Sequence, residues 1–470
     1  MPLQAGKLAG AHVLVAGAGV TGKSVVRALT AQGAQVTVTD GNAERLAELD
    51  GLGAELMPGL SEPPAGTALV VTSPGWRPTA PLLVAAAEQG IEVIGDVELA
   101  WRIGQTRENP PVWLAITGTN GKTTTVGMLE SMLRASGADA VACGNVGYAV
   151  LDAVLEGREV LAVELSSFQL HWSSTLAPLA SVVLNLAEDH IDWHGSMDEY
   201  ARAKGKIHTH SKHVVHNLND EWSRRLADEN ASAEAVRVGF RLDTPKPGEL
   251  GVVEDLLVDR AFVPDPVHAA EELGTLADVR PAGPHNVANA LAAAALARAH
   301  GVSPADILKG LHEYQPAPHR AQEIAEVGGV RYINDSKATN PHAASGSLHA
   351  HADIVWIAGG QLKGASVDEL VASIAGRLRG VVLLGVDSPV IAAAVSRHAP
   401  DVPLQTLPSG DDDPMTAAVH SASRMARPGD VVLLAPAAAS LDMFRSYGHR
   451  GDAFASAVHR LAGEPTHDGG

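Results

Sequence analysis

The chain has 470 residues, 46% of them hydrophobic and 19% charged, which is too long for one ordinary core and too apolar for a disordered polymer. Its 35 Lys and Arg against 54 Asp and Glu leave a formal charge of −19, a field that repels nucleic acid and anionic membranes while still permitting anionic small molecules in a cleft lined by a few basic side chains. A single cysteine, Cys143, excludes an internal disulfide, and there is neither a basic-then-apolar leader nor a run of ~20 apolar residues, so the expectation is a cytoplasmic, monomeric protein that acts on small molecules.

In chain order, the first predicted element is the strand HVLVAGAG (12–19), running into a glycine turn, with a helix from about Gly22 and a second strand ending at Asp40. ALVVTSPG (68–75) and IEVIGDVELA (91–100) read as further strands. Alternating strands and helices predict a parallel sheet covered on both faces. GAGVTG (17–22) fits Gly-x-Gly-x-x-Gly, and Asp40 follows at the spacing of a dinucleotide fingerprint, which keeps an NAD-dependent dehydrogenase open.

A polar stretch, GQTRENPP (104–111), reads as a linker into VWLAITGTNGKTTT (112–125), again strand, loop and helix. Strands are predicted at 159–167 and 179–186, loops and short strands over 241–283, and a packed Ala-rich helix near 289–299. A Pro-rich hinge (313–320) precedes a third block with strands at 330–335, 353–360, 380–386 and 430–437, and the tail 463–470 is expected to be disordered.

The loop TGTNGKTTT has the parts of a phosphate cradle: glycines for close backbone approach, a helix N-terminus behind them, Lys122 to neutralise phosphate and the Thr123 hydroxyl to reach Mg²⁺. It departs from the general P-loop, which wants glycine where Ile116 stands. Glu164 closes an apolar strand, and Asp189, His190 and Asp192 follow another. Parallel strands end on one edge, so these groups can converge on the loop. Glu164 suits a hard cation; a lone histidine does not by itself argue for Mg²⁺. Lys204 and Lys206 in YARAKGKI read alone as a solvated helix face. Asn286 and Asn289 share a helix face, and Asp335 closes a strand where an acid can hold ribose hydroxyls.

TGTNGKT resembles the Mur ligase and folylpolyglutamate synthase superfamily, whose members use ATP to phosphorylate a carboxylate that an amine then attacks. DSKATNP and ASLDMF (439–444) resemble the family member that adds D-glutamate to UDP-N-acetylmuramoyl-L-alanine. The resemblance implies an α/β protein of three domains: a Rossmann-like UDP-substrate domain (1–107), a central P-loop-type ATP-binding domain (108–317) and a Rossmann-like amino-acid domain (318–470). It assigns ATP to Gly118, Thr119, Asn120, Gly121, Lys122, Thr123, Thr124, Asn289, Arg320, Asp335 and Lys337. It assigns two Mg²⁺ ions to Thr123, Glu164, His190 and a Lys204 carrying a CO2-derived carbamate. Lys122, His190, Lys204 and Arg320 form the catalytic set. D-glutamate falls to Thr339, Lys363, Ser440 and Tyr447, the last being phenylalanine in most relatives. Val20, Thr21, Gly22, Asp40, Ser73, Pro74, Gly75, Asn145 and Gly147 match segments that contact the UDP substrate. A dehydrogenase leaves the second phosphate loop, His190 and Lys204 unexplained. A non-catalytic nucleotide switch stays open, because it would bind ATP without needing D-glutamate.

Overall fold

Parallel strands covered on both faces need near-continuous apolar runs, and segments such as VLVA, LAI and VVLL supply them. The computed structural model describes residues 8–145, 147–316, 318–408 and 413–463, so the tail expected to be disordered lies outside the described residues from 464 on. The first sheet orders Glu55–Leu56, Gln35–Thr39, His12–Ala16, Thr67–Thr72 and Glu92–Gly95, all parallel.

The second sheet has nine strands in the order Glu271–Thr275, Leu256–Asp259, Glu249–Val253, Val236–Phe240, His213–Asn217, Ala180–Val183, Val112–Thr117, Val160–Glu164 and Ala140–Gly144. The last seven run parallel, and the first two add an antiparallel meander formed from the 241–283 stretch. The third sheet orders Gln322–Val327, Val330–Asn334, Val431–Leu434, Ile354–Gly359, Leu378–Leu384 and Leu404–Thr406, parallel except at its first pair.

One expected strand is corrected. The 91–100 segment extends only to Gly95; Asp96–Gly104 is a helix, with Asp96 and Glu98 in its first turn, where carboxylates favour the positive end of the helix. Strands at Ala140–Gly144, His213–Asn217 and Val236–Phe240 are additions to the sequence reading. They are short and flanked by polar residues, so periodicity alone does not mark them.

The chain forms two compact units. One takes residues up to Val279 with Val287–Tyr314 and holds the first two sheets; the other takes Arg280–Asn286 and residues from Gln315 on and holds the third. Inside the first unit, the 104–111 stretch is a short turn between Asp96–Gly104 and Val112–Thr117, and a single apolar cluster joins Val13, Val97 and Ile103 to Trp113, Leu151 and Val163. Trp101 meets Trp113 edge to face with ring centroids 5.4 Å apart.

That junction also buries charge. Glu98, fully buried, accepts from Ser174 N–H at 2.9 Å, Thr175 N–H at 3.1 Å and Thr175 Oγ1 at 2.6 Å, and pairs with Arg102 at 2.8 Å. Burial pushes its pKa up, but these donors outweigh burial and hold it below the usual carboxylate value. A depressed folded pKa means the stabilisation is present above the unfolded value and is lost as pH falls below about 4. Glu98→Gln should therefore cost about 2–4 kcal/mol at pH 7 by urea denaturation and flatten the acid limb of the stability curve. Equal acid sensitivity in the variant and the parent would contradict this account.

Candidate active site

In the second sheet, register pairs Ile116 with Glu164, Thr117 with Val183 and Gly144 with Glu164. The carboxyl ends of four parallel strands thus place the glycine loop, Glu164, Asn145 and the 185–190 segment side by side on one edge. The loop is tightly held. Gly118 sits at φ +152° and Gly121 at φ +84°, and a Cβ on Gly121 would lie 2.4 Å from Asn289 Oδ1. Gly121 caps the helix Lys122–Ala135, aiming the first-turn N–H groups of Lys122, Thr123 and Thr124 at the loop mouth. Asn120 N–H donates to Asn185 Oδ1 at 2.9 Å, Asn185 Nδ2 returns to Asn120 O at 3.1 Å, and Thr119 N–H donates to Asn185 O at 2.9 Å. Lys122 Nζ folds over the loop onto the carbonyls of Gly118 and Thr119, each at 2.9 Å.

Lys204 is not on a solvated face. It is 2% exposed, and its Nζ donates to Gly118 O at 2.8 Å and Thr117 Oγ1 at 3.2 Å, 4.9 Å from the Tyr200 ring centroid. Desolvation, with Lys122 adding repulsion, drives its pKa well below that of an ordinary lysine, although Asp189 and Glu164 pull the other way. Glu164, also 2% exposed, accepts from Asn145 Nδ2 at 2.9 Å. His190 takes a left-handed backbone, φ 54°, at the cap of the single turn Ile191–His194. Its ring sits 4.7 Å from Phe168 and 3.5 Å from the Asp189 carboxylate. Asp192 turns instead to Arg77 at 3.0 Å. Neighbouring His194 is pushed down to about 4 by burial and by the charges of His171, His190 and Lys204.

Among the described residues, no three His, Cys, Asp or Glu side chains converge as a closed metal cage. A hard cation such as Mg²⁺ keeps waters and phosphate oxygens and takes only one or two protein carboxylates. Glu164 and the Thr123 hydroxyl carry oxygen donors of the kind a hard cation takes, and His190 carries a nitrogen donor.

In the first sheet's lobe, Gly17 lies at φ +115°, where a Cβ would meet Ser73 Oγ at 2.3 Å, and a Cβ on Gly22 would meet Gly17 O at 2.1 Å. Thr21 Oγ1 lies 3.5 Å from Ser73 Oγ, and Val20 is exposed. Asp40 accepts from Ala18 N–H and Asn42 N–H, each at 2.8 Å, so its carboxylate shapes this turn. Gly75, Asn145 and Gly147 are exposed in their loops.

In the second unit, Asp335, the Gly360–Lys363 turn and Ser440 follow the carboxyl ends of adjacent parallel strands. Asp335 is buried, which raises its pKa, and accepts from Ser347 Oγ and from Ala321 N–H at 3.2 Å, with Arg320 near enough to pull it down. Thr339 N–H donates to Lys337 O at 2.9 Å, and Lys363 has a left-handed backbone, φ 53°. Lys337 Nζ stands 3.8 Å over the Tyr447 ring. Arg320, Asp335, Lys337, Thr339, Lys363, Ser440 and Tyr447 belong to this unit, whereas Lys122, Glu164, His190, Lys204 and Asn289 belong to the other.

Three positioning residues escaped the sequence reading. Asn185 staples the phosphate loop, and Tyr200 OH lies 3.0 Å from Thr119 Oγ1. Arg450, 1% exposed, donates to Ser336 Oγ and O, Gly359 O and Ala438 O, and burial lowers its pKa to about 10. Asn185 in NLAEDH carried a signal, a polar residue at a strand end facing a glycine loop; Arg450 sits in a helix and carried none.

Family models match three stretches of the chain: the Mur ligase MurD-like N-terminal domain over 11–95, the Mur ligase middle domain over 116–297, and the Mur ligase glutamate ligase domain over 319–438. A UDP-N-acetylmuramoylalanine--D-glutamate ligase of Thermobifida fusca is 56% identical over 469 residues, covering 97% of this chain and 100% of its own. One of Streptomyces coelicolor is 54% identical over 467 residues, covering 97% and 99%. The solved UDP-N-acetylmuramate-alanine ligase of Thermotoga maritima shares the fold, with a TM-score of 0.58 at 18% identity over 96% of this chain and 99% of its own.

Gly121→Ala should reduce affinity for a non-hydrolysable ATP analogue by at least about tenfold, because a Cβ both strains a left-handed backbone and strikes Asn289. Gly137→Ala is the control: φ is +88° there too, but nothing lies within 4 Å of the new Cβ. Equal binding losses in the two variants would show that the clash with Asn289 does not matter.

Proposed function

The chain belongs to the Mur ligase family, and from that premise we propose the reaction and the residues that carry it. It is an ATP-dependent amide-forming ligase that adds D-glutamate to UDP-N-acetylmuramoyl-L-alanine and releases ADP and phosphate, a step in building peptidoglycan precursors. The observation that carries this reading is more than 50% identity along nearly the whole chain to ligases of that name. The glycine turn at Gly17–Gly22, which alone would suit a dehydrogenase, then serves the UDP end of the substrate with Ser73, Gly75, Asn145 and Gly147, while Asp40 stands towards the uracil.

The nucleotide is held by Gly118–Thr124, with Asn289 at the adenine, Asp335 at the ribose, and Arg320 and Lys337 at the phosphates. Thr123, Glu164 and His190 would hold Mg²⁺, which when bound would neutralise charge at the phosphoryl group. Lys122 and Arg320 offset the negative charge that gathers as the L-alanine carboxylate takes the γ-phosphoryl group to give an acyl phosphate. The D-glutamate amine, oriented through Thr339, Lys363, Ser440 and Tyr447, attacks the acyl carbon, and phosphate leaves. His190 or a neighbouring carboxylate accepts the amine proton.

Lys204 is assigned a carbamate. Its buried environment favours the uncharged amine, which adds to CO2 with loss of one proton and yields a single negative charge shared by two oxygens in place of an ammonium. Such a carbamate would offer its oxygens to a second Mg²⁺. The described residues include no helix long and apolar enough to cross a membrane. With ATP and a sugar nucleotide as substrates, we read the enzyme as a cytoplasmic monomer, with the domain limits 1–107, 108–317 and 318–470.

Phosphate release should require both UDP-N-acetylmuramoyl-L-alanine and D-glutamate, fail with L-alanine, diaminopimelate or lysine as acceptor, and carry ¹⁸O from a labelled substrate carboxylate. Phosphate free of ¹⁸O would rule out the acyl phosphate. Lys204→Ala should lose at least about 99% of activity, consistent with removing a charged group that orders the transition state. Added acetate should restore part of it, and the wild type should show a carbamate resonance after ¹³CO2 exposure that the variant lacks. Full activity in Lys204→Ala would reject the carbamate.

A further inference from the structure

Ser73–Gly75 and the loop carrying His190 come from different sheets of the first unit, and one side chain spans them. Arg77 Nη1 donates to the main-chain carbonyl of Asp192 at 2.9 Å, and Nη2 donates to Asp192 Oδ2 at 3.0 Å. Both ends of this link are set in short, hydrogen-bonded turns. On the first side, Ser73 N–H donates to Ala16 O at 2.8 Å, Trp76 N–H to Ser73 O at 3.2 Å and Ala80 N–H to Arg77 O at 2.9 Å. The Trp76 indole lies against the glycine turn, 3.2 Å from where a Cβ on Gly17 would be. On the other side, Trp193 N–H and His194 N–H donate to His190 O at 3.0 and 3.1 Å, closing the turn that His190 caps. Phe168 packs against His190, Trp193 and His194 from below, with centroids at 4.7, 4.9 and 5.6 Å.

A guanidinium that engages both the carbonyl and the carboxylate of one residue fixes direction as well as distance, which a lysine ammonium does not. The two side chains are 54% and 76% exposed, so the pair adds little to global stability. Its consequence is local. It sets the gap between the glycine-turn lobe and the His190 turn, two places separated by more than a hundred residues of chain.

We infer that Arg77 is a positioning residue which, through Asp192, holds the Ser73–Gly75 loop and the His190 loop as one preorganised surface for the sugar nucleotide. The inference rests on the reading that Ser73–Gly75 takes the sugar nucleotide and that His190 serves at its reacting end. Asp192, grouped by sequence with Asp189 and His190 as able to converge on the glycine loop, is committed to this tether. Without it, the incoming ligand must order both loops itself, and affinity falls by that ordering cost.

The test is calorimetric titration of UDP-N-acetylmuramoyl-L-alanine into enzyme free of nucleotide and magnesium, for the wild type, Arg77→Ala, Asp192→Ala, the double variant and Arg77→Lys. Each alanine variant should raise Kd about three- to tenfold, and the double variant should be no weaker than the weaker single one, as for two halves of one device. Arg77→Lys should recover less than half of the loss, and thermal midpoints should stay at the wild-type value. Unchanged Kd in both single variants, or losses that add in the double, overturns the tether. A loss confined to Arg77→Ala also overturns it, because Arg77 would then touch the ligand directly. Failure of the wild type to bind the sugar nucleotide overturns instead the functional reading beneath it.

Discussion

A lysine amine buried against the carbonyl of Gly118 is the contact on which the site of the first unit depends. Lys204 Nζ reaches Gly118 O at 2.8 Å at the point where Val112–Thr117 turns into the phosphate loop. An ammonium so deeply desolvated is costly, and Lys122, on the same loop, repels it further. The arrangement therefore favours an uncharged amine beside a site built for anions and cations. A neutral, buried amine has chemistry available to it that a surface lysine lacks, since the uncharged form is the nucleophilic one.

The sheet explains why so few residues suffice. Four parallel strands end on one edge, so Gly118, Glu164, Asn145 and Asn185 become neighbours without any long loop. Each neighbour then restrains the next: Asn185 staples Asn120, Asn145 orients Glu164, and Asn289 lies against Gly121. The result is a rigid cradle at the carboxyl edge of the sheet. The second unit repeats the device: Asp335, Lys363 and Ser440 follow parallel strand ends, and Arg450 knits the carbonyls of their loops together.

The lobe of the first sheet is bound to the lobe of the second sheet in the same unit by buried charge as well as by apolar packing. Glu98 takes the N–H groups of Ser174 and Thr175, and Ser24 Oγ donates to Asp152 at 2.9 Å. A junction of this kind resists rotation, because any displacement strands a buried carboxylate without its donors. The glycine turn at Gly17–Gly22 and the glycine loop at Gly118–Gly121 are thus carried by lobes joined through buried donors and apolar packing.

Sequence by itself determined the strand–loop–helix units, both glycine loops and the identity of the acids at the strand ends, because a parallel sheet needs apolar runs and its loops need glycine and polar residues. It also marked Lys204, though only by resemblance; read alone, YARAKGKI looks like a solvated helix face. It carried one strand too far, over Asp96–Ala100, where the residues belong to the helix Asp96–Gly104 packed in the junction with the second sheet's lobe. What only the tertiary structure decided is which polar side chains serve each other. Glu98 with Ser174 and Thr175, Arg77 with Asp192, and Arg450 with Gly359 are pairs of distant residues, and neither periodicity nor composition carries information about a partner 76 to 115 positions away. Those pairings follow from burial: a charge taken out of water must find a donor or acceptor, and only the packed fold determines which one lies within reach.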